Sequence, residues 1–252
     1  ITMAGKIGDD VFGSSYQETF DQEGVNRSIV EVEKGLSTGV AVIEVDDSGE
    51  NHIVIVPGAN GKMDRDYVER NIETIASADY VLFQLEIPLD TITHTLSLLK
   101  DRKAMTILDP APAPAQGLPS ELLANVDFIT PNESEAHSLT GVEVTDEASA
   151  RKAGEALMKQ GASRVIIKAG GSGAYIVDEA GVRKVEGFSV EVADTTAAGD
   201  AFNAGFAFAL GEGSSLEDGV RHGNAVGAMA CTGFGAQSAM PTSAEVEKLL
   251  GR

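Results

Sequence analysis

The sequence contains a single cysteine, Cys231, so no intramolecular disulfide framework is available, and no C-x-x-C or mixed Cys/His spacing offers a metal site. A reducing compartment fits this usage, and cytoplasm is the expectation. No stretch is apolar for long enough to span a bilayer, and the first residues, ITMAGKIGDD, do not read as a basic-then-apolar leader, so no membrane partner is expected. Basic residues are scarce: 19 Lys and Arg stand against 39 Asp and Glu, a formal net charge of -20. Such a surface repels a phosphate backbone, which argues against nucleic acid as a partner. The acidic excess reads as a solubilising surface or as adaptation to salt. Several catalytic signatures are also missing. The Gly-Lys-Ser/Thr ending of a Walker A loop, the HRD and DFG strings of protein kinases and the G-x-S-x-G elbow of hydrolases do not occur. The four histidines, His52, His94, His137 and His222, have no metal-ligand spacing. There is no internal repeat.

With 252 residues and 42% hydrophobic content, the chain can bury a sizeable core as one main α/β domain. Residues 11–24 read as a helix closed by Gly24. SIVEVE, TGVAVIEVD and NHIVIVPG then favour strands, with a turn at residues 46–51, and form a small antiparallel element at about 28–58. From Asp64 onward helical and extended segments alternate, which predicts parallel βαβ units. The expected architecture is a central, mostly parallel sheet flanked by helices and carrying a small β-sheet lid.

In an open parallel sheet, ligands gather beyond the carboxyl ends of the strands. Four junctions stand there: QLEIP at 84–88, TPNESE at 130–135, KAGGSG at 168–173 and DTTAAGDAF from Asp194. If a helix begins near Ala197, the N–H groups of Ala197, Ala198, Gly199 and Asp200 lie unpaired in its first turn, at the positive end of its dipole. Small side chains let a phosphate approach them, and Asp200 then stands beside the bound anion. A carboxylate there can deprotonate an incoming hydroxyl as a phosphoryl group moves onto it; the plainer alternative is a first-turn acid on a buried helix. KAGGSG could wrap a nucleotide or simply turn a hairpin. Asn132 could cap a helix, and carboxylates after it could act through hydrated magnesium; the two roles are compatible.

Taken in order, GDDVFG, QLEIP, DPAPA, TPNESEA, KAGGSGAY, DTTAAGDAF and GAQSAMP resemble the ribokinase-like (PfkB) family of carbohydrate kinases, over essentially the whole chain. The AAGD form with DPAPA leans the expectation towards ribose as the sugar. The resemblance implies transfer of the γ-phosphoryl group of ATP to the 5-hydroxyl of D-ribose, with Asp200 as base and Ala197, Ala198 and Gly199 as an anion hole. Another sugar or nucleoside of the same family, or a nucleotide-binding protein without turnover, stays open. By the same resemblance Asn132 and Glu135 match an N-x-x-E motif governing magnesium, Glu135 acting indirectly. Lys168, Gly170, Ser172 and Gly173 lie beside ATP, although the family often has threonine where Lys168 stands, and Asn224 falls on a helix along the adenine pocket. Asp194, Thr196, Ala230, Gly235 and Ala239 match an activating potassium site, where Ala239 replaces a frequent serine. Glu86 matches a sugar contact, and Ala41, Ile43 and Ile53 match an apolar lid whose edges pair in homodimers. The family's N-x-D and G-G-K-G-x-N sugar segments do not occur, which raises the expectation that residues carrying them precede Ile1.

Overall fold

The computed structural model describes residues 1–45 and 51–252. The turn expected at 46–51 falls, all but Asn51, outside the described residues. The chain forms two compact units, one from Ile1–Ser77 with Leu85–Leu98 and the other from Ala78–Gln84 with Leu99–Arg252.

In the first unit β1 (Thr2–Gly8), α1 (Val11–Gln22) and β2 (Asn26–Glu33) form a βαβ crossover, with β1 and β2 paired in parallel and Ile7 opposite Val32. The segment SIVEVE was expected to join the antiparallel element. It pairs with β1 instead, because a helix separates the two strands and a helical crossover returns the chain in the parallel sense. Asp10 starts α1 by accepting from the Gly13 N–H at 2.9 Å, and Gly24, with φ of 67°, follows its end. The antiparallel element is the hairpin of β3 (Val40–Val45) and β4 (Asn51–Val56), in which Ala41 faces Ile55 and Ile43 faces Ile53. On α2 (Arg65–Ala76), the fully buried Tyr67 donates its hydroxyl to the Ile29 carbonyl at 2.6 Å and accepts from the Gly5 N–H at 2.9 Å. Burial pushes its phenol pKa up to about 12, so the hydroxyl stays a donor that ties α2 to both strands. The unit ends with α3 (Leu89–Leu99), whose Leu98 packs with Ile72 and Ile87 around Met63, Tyr67 and Val68.

The second unit is built on a six-stranded sheet of β5 (Tyr80–Phe83), β6 (Met105–Leu108), β7 (Phe128–Ile129), β8 (Val165–Lys168), β9 (Ala174–Asp178) and β10 (Gly181–Val185). They stand in the order β10-β9-β8-β7-β6-β5; β5 to β8 run parallel, and β9 and β10 are antiparallel additions at one edge. The central strands are continuous apolar runs such as VII of β8, as strands covered on both faces must be. The helices of this unit are α4 (Ser120–Leu123), α5 (Glu133–Thr140), α6 (Glu147–Lys159), α7 (Ala198–Gly211), α8 (Leu216–Ala230) and α9 (Ser243–Leu250). The patterns above announce neither β10 nor the single turn α4. Phe202 and Phe206 of α7 and Val220 of α8 pack on Ile107, Phe128, Ile166 and Ile176 of the sheet, with Phe128 and Phe206 edge to face at 5.3 Å. This is the mostly parallel sheet flanked by helices that the sequence predicts.

On the other side of the sheet, α6 approaches β9 so closely that a Cβ on Gly154 would lie 2.5 Å from the Val177 Cβ. Replacing a helix-interior glycine by alanine gains about 1 kcal/mol of propensity, whereas overpacking a tight core contact costs roughly 1–3 kcal/mol. The contact is short enough for the second term to win. Gly154→Ala is expected to lower stability by about 1–2 kcal/mol in urea unfolding. Adding Val177→Ala should restore part of the loss, and an unchanged unfolding midpoint in the single variant would refute the close contact.

Candidate active site

The carboxyl ends of four strands deliver four side chains to one cavity of the second unit, of about 940 Å³. Gln84 follows β5, Asp109 follows β6, Asn132 lies beyond β7 and Lys168 ends β8, and all four line the cavity with the first turn of α7. Parallel strands end together, so residues distant in sequence converge there without contact along the chain.

The first turn of α7 starts at Ala198, with Ala197 as its N-terminal cap in the left-handed region, at φ of 60°. A non-glycine residue holds that conformation at a cost of roughly 1 kcal/mol, and such strain collects at functional sites. The kink closes a turn in which the Ala198 N–H donates to the Thr195 carbonyl at 3.2 Å. Ala198 is therefore not one of the open donors that the sequence predicted. Among the described residues the N–H groups of Ala197, Gly199 and Asp200 have no partner, and they stand at the positive end of a 14-residue helix.

Asp200 lies open to the cavity and accepts from Gln84 Nε2 on Oδ1 at 2.6 Å, while its Oδ2 accepts no hydrogen bond among the described residues. Loss of water on its protein-facing side, helped by the nearby Asp109, raises its pKa; Lys168 and Gln84 oppose that rise. Asn132 caps α5 as expected. Its Oδ1 accepts from the Glu135 N–H at 2.8 Å, and Glu135 returns two bonds, Oε2 to the Asn132 N–H at 2.7 Å and Oε1 to its Nδ2 at 2.9 Å. Burial raises the Glu135 pKa, with Asp109 and Asp200 adding to the rise against its bonds and Lys168. Lys168 is paired with Asp109 at 2.8 Å, and Asn203 of α7 donates to the same carboxylate oxygen at 2.5 Å.

The far wall is peptide. Gly173 has φ of 96°, and a Cβ there would stand 2.1 Å from the Val185 carbonyl oxygen, while a Cβ on Gly187 would stand 2.4 Å from that of Gly171. KAGGSG is therefore both the hairpin turn of β8 and β9 and part of the cavity: Gly170, Gly171 and Gly173 line it, and Ser172 does not. Asn224 of α8 donates to the Val185 and Glu186 carbonyls, each at 3.2 Å, holding that segment in place. Nearby, Asp194 spans two loops: Oδ1 accepts from the Thr196 N–H and hydroxyl at 2.9 and 2.7 Å, and Oδ2 from the Gly235 N–H at 2.9 Å. These bonds hold its carboxyl below the usual range, that from Gly235 contributing most. Ala230 ends α8, next to Cys231, whose carbonyl accepts from Ala193 and Asp194. Gly233 and Ala239 approach within the same loop, where a Cβ on Gly233 would stand 3.2 Å from that of Ala239.

The structure thus gathers Asp200, Gly199, Asn132, Glu135, Lys168 and Asn224 around one cavity, and Asp194, Thr196 and Gly235 into one bonded group. Glu86, Ala41, Ile43 and Ile53 belong to the first unit. Three polar residues of the site carry no role in the sequence reading: Gln84, Asp109 and Asn203. The first two stand at strand ends, a signal that QLEIP and DPAPA held, whereas nothing in the sequence separates Asn203 from an ordinary helix residue.

Residues 1–243 match the profile described as pfkB family carbohydrate kinase. A ribokinase of Haemophilus influenzae is 41% identical over 244 residues, covering 97% of this chain and 79% of that protein. The crystal structure of a ribokinase from Thermotoga maritima superposes with a TM-score of 0.87 at 37% identity, over 100% of this chain and 81% of its own. The structure of Arabidopsis thaliana ribokinase complexed with ribose and ATP gives a TM-score of 0.93 at 30% identity, over 100% and 82%. With motifs, fold and relatives in agreement over nearly its whole length, the chain belongs to the pfkB family of carbohydrate kinases.

Proposed function

We propose that this kinase transfers the γ-phosphoryl group of ATP to the 5-hydroxyl of D-ribose, giving ribose 5-phosphate and ADP. The observation that carries the reading is the pairing, on one helix turn, of open N–H donors at Gly199 and Asp200 with a carboxylate whose Oδ2 has no partner among the described residues. The similarity to a ribokinase that binds ribose and ATP supports the choice of substrates. Gln84 holds Oδ1, which leaves Oδ2 to accept the proton of the sugar hydroxyl. As that proton passes to Asp200, the sugar oxygen bonds to the γ-phosphorus. The bond to the bridging oxygen breaks, and its electron pair leaves with ADP. The N–H donors of the first turn stabilise charge on the transferring group. The adenosine end lies along Gly170, Gly173 and Asn224, with Ser172 adjacent.

The residues present fit a hydrated magnesium ion. Burial raises the pKa of both Glu135 and Asp200, with Asp109 and Asp200 adding to the rise at Glu135, Asp109 adding to it at Asp200, and Lys168 opposing both, so a triphosphate needs a divalent counter-charge there. No group of three or more His, Cys, Asp or Glu side chains among the described residues is placed to bind a metal directly, which fits an ion held through water and phosphate, with Glu135 acting at one remove. When bound, magnesium draws charge from the phosphate oxygens. Potassium is assigned to the loops tied by Asp194, with Thr196, Ala230, Gly235 and Ala239 offering mainly carbonyl oxygens. The sugar is assigned to Glu86 under a lid formed by Ala41, Ile43 and Ile53. The edges of the two-stranded β3–β4 hairpin, unpaired among the described residues, suit pairing with a second copy, giving a homodimer. No helix among the described residues is long and apolar enough to cross a membrane, and the proposed compartment is the cytoplasm.

Coupled ADP release with D-ribose, fructose, 2-keto-3-deoxygluconate and adenosine in parallel tests the substrate. Ribose is expected to give the highest kcat/KM. If no sugar accelerates release while ATP still raises the melting temperature, the nucleotide-binding reading without turnover replaces this one. Asp200→Asn is expected to retain ATP binding and lose turnover by roughly 10³-fold or more; near-normal turnover would remove Asp200 from its role.

The same variant has a stability readout. Because the folded protein raises the Asp200 pKa, this group's favourable contribution is complete below the ordinary carboxylate range and is lost as pH rises through the folded value. The charged form is thus a net liability at neutral pH, although water in the open cavity screens much of it. Asp200→Asn is expected to raise the melting temperature by roughly 2 °C at pH 7.5. The gain should fade towards pH 4; a variant less stable than the parent at pH 7.5 contradicts the assignment.

A further inference from the structure

Asp109 and Lys168 are buried together, their side chains 6% and 11% exposed and 2.8 Å apart. The bond pattern around them is lopsided. Lys168 Nζ from the end of β8 and Asn203 Nδ2 from α7 both donate to Oδ2 of Asp109, while Asp109 Oδ1 and Asn203 Oδ1 are buried without a partner among the described residues. One oxygen atom therefore joins β6, β8 and α7. The pair also lies directly beneath the helix mouth. A Cβ at Gly199 would stand 3.1 Å from Lys168 Nζ and 3.8 Å from Asp109 Oδ2, so the absence of a side chain at Gly199 is what lets the first turn rest on the ammonium.

We infer that Asp109 and Lys168 are positioning residues that act as a matched pair, fixing the first turn of α7 through Asn203 and Gly199, so that nucleotide binding depends on the balance of the two charges. This deepens the nucleotide role proposed above and rests on it. The ammonium of Lys168 is committed to Asp109 and does not extend to the ligand. Seen from the cavity the two charges largely cancel, and the open N–H groups of Gly199 and Asp200 face the phosphates. Burying one charge without its partner is costly, whereas replacing both by neutral groups of similar shape is often nearly neutral. The cluster predicts this asymmetry, with an added gain in the double replacement: an asparagine amide at position 109 supplies the donor that Asn203 Oδ1 lacks.

The test is a four-protein cycle of the parent, Lys168→Met, Asp109→Asn and the double variant. The measurements are melting temperature, the Kd of Mg-ADP by calorimetry, and the KM values of ATP and ribose. Each single variant is expected to lose about 8 °C in melting temperature and to bind ADP roughly 30-fold more weakly. The double variant is expected to return to within about 3-fold of the parent's ADP affinity. The KM of ribose should hold steady across the cycle while that of ATP moves, a split that general loosening would not produce. Two results would overturn the inference: single variants matching the parent, or a double variant no better than Lys168→Met, which would give Lys168 a direct role on the ligand. Should the single variants fail to fold, Asn203→Ala keeps the ion pair but cuts its tie to α7 and is expected to weaken ADP about 5-fold; unchanged affinity would count equally against it. ADP binding and melting need no turnover, so a protein that fails to phosphorylate ribose can still pass this test. If it binds no ADP at all, the proposed function fails while the melting cycle still judges the pair.

Discussion

The site depends on three backbone N–H groups that have no acceptor among the described residues. A helix always begins with orphan donors, and most helices in this protein satisfy one with a side chain: Asp10, Asp64, Asn132, Asp146, Ser215 and Thr242 each cap the helix they precede. α7 is built differently. Its cap position is an alanine with no side-chain oxygen, held in the left-handed region, so the donors stay available. The aromatic packing of Phe202 and Phe206 against the sheet holds the helix in place despite an uncapped end.

Charge follows from that choice. The chain is strongly acidic overall, yet the cavity proposed for the nucleotide would receive an anion beside Asp109, Glu135 and Asp200. The structure manages this with short-range arrangements. Asp109 is neutralised by a buried ammonium, Glu135 is occupied by both amides of Asn132, and Asp200 is restrained by Gln84. Such contacts are screened far less than surface charge, so net charge says little about the field inside the cavity.

Much of the architecture was legible in the sequence because apolar runs and glycine stops report burial and chain reversal directly. The parallel strands after Asp64, the helix of residues 11–24 and the Asn132 cap all follow from such local signals. The reading failed where pairing is non-local. SIVEVE has the composition of a strand but nothing in it names its neighbour, and only the preceding helix tells that it pairs with β1. The open donors at Gly199 and Asp200 were legible from the small residues before α7. The engagement of Ala198 with Thr195 was not, because it depends on the φ of Ala197, which alanine does not advertise. Asp109 and Gln84 escaped for a related reason: a polar residue at a strand end gains its meaning from the side chains brought to it from elsewhere, as Asn203 of α7 gains its own from Asp109.

The cavity wall at Gly171, Gly173 and Gly187 has a consequence for how this protein can diverge. Two stretches of main chain press against each other there, so substitution has no side chain to trim or enlarge, and any Cβ introduced at Gly173 or Gly187 collides with a carbonyl. Drift in the contour of that chamber must fall instead on Phe188, Val190 and Val192, whose side chains complete the lining. The glycine stretch of the lining is in effect frozen across generations, and those three side chains are where descendants can differ.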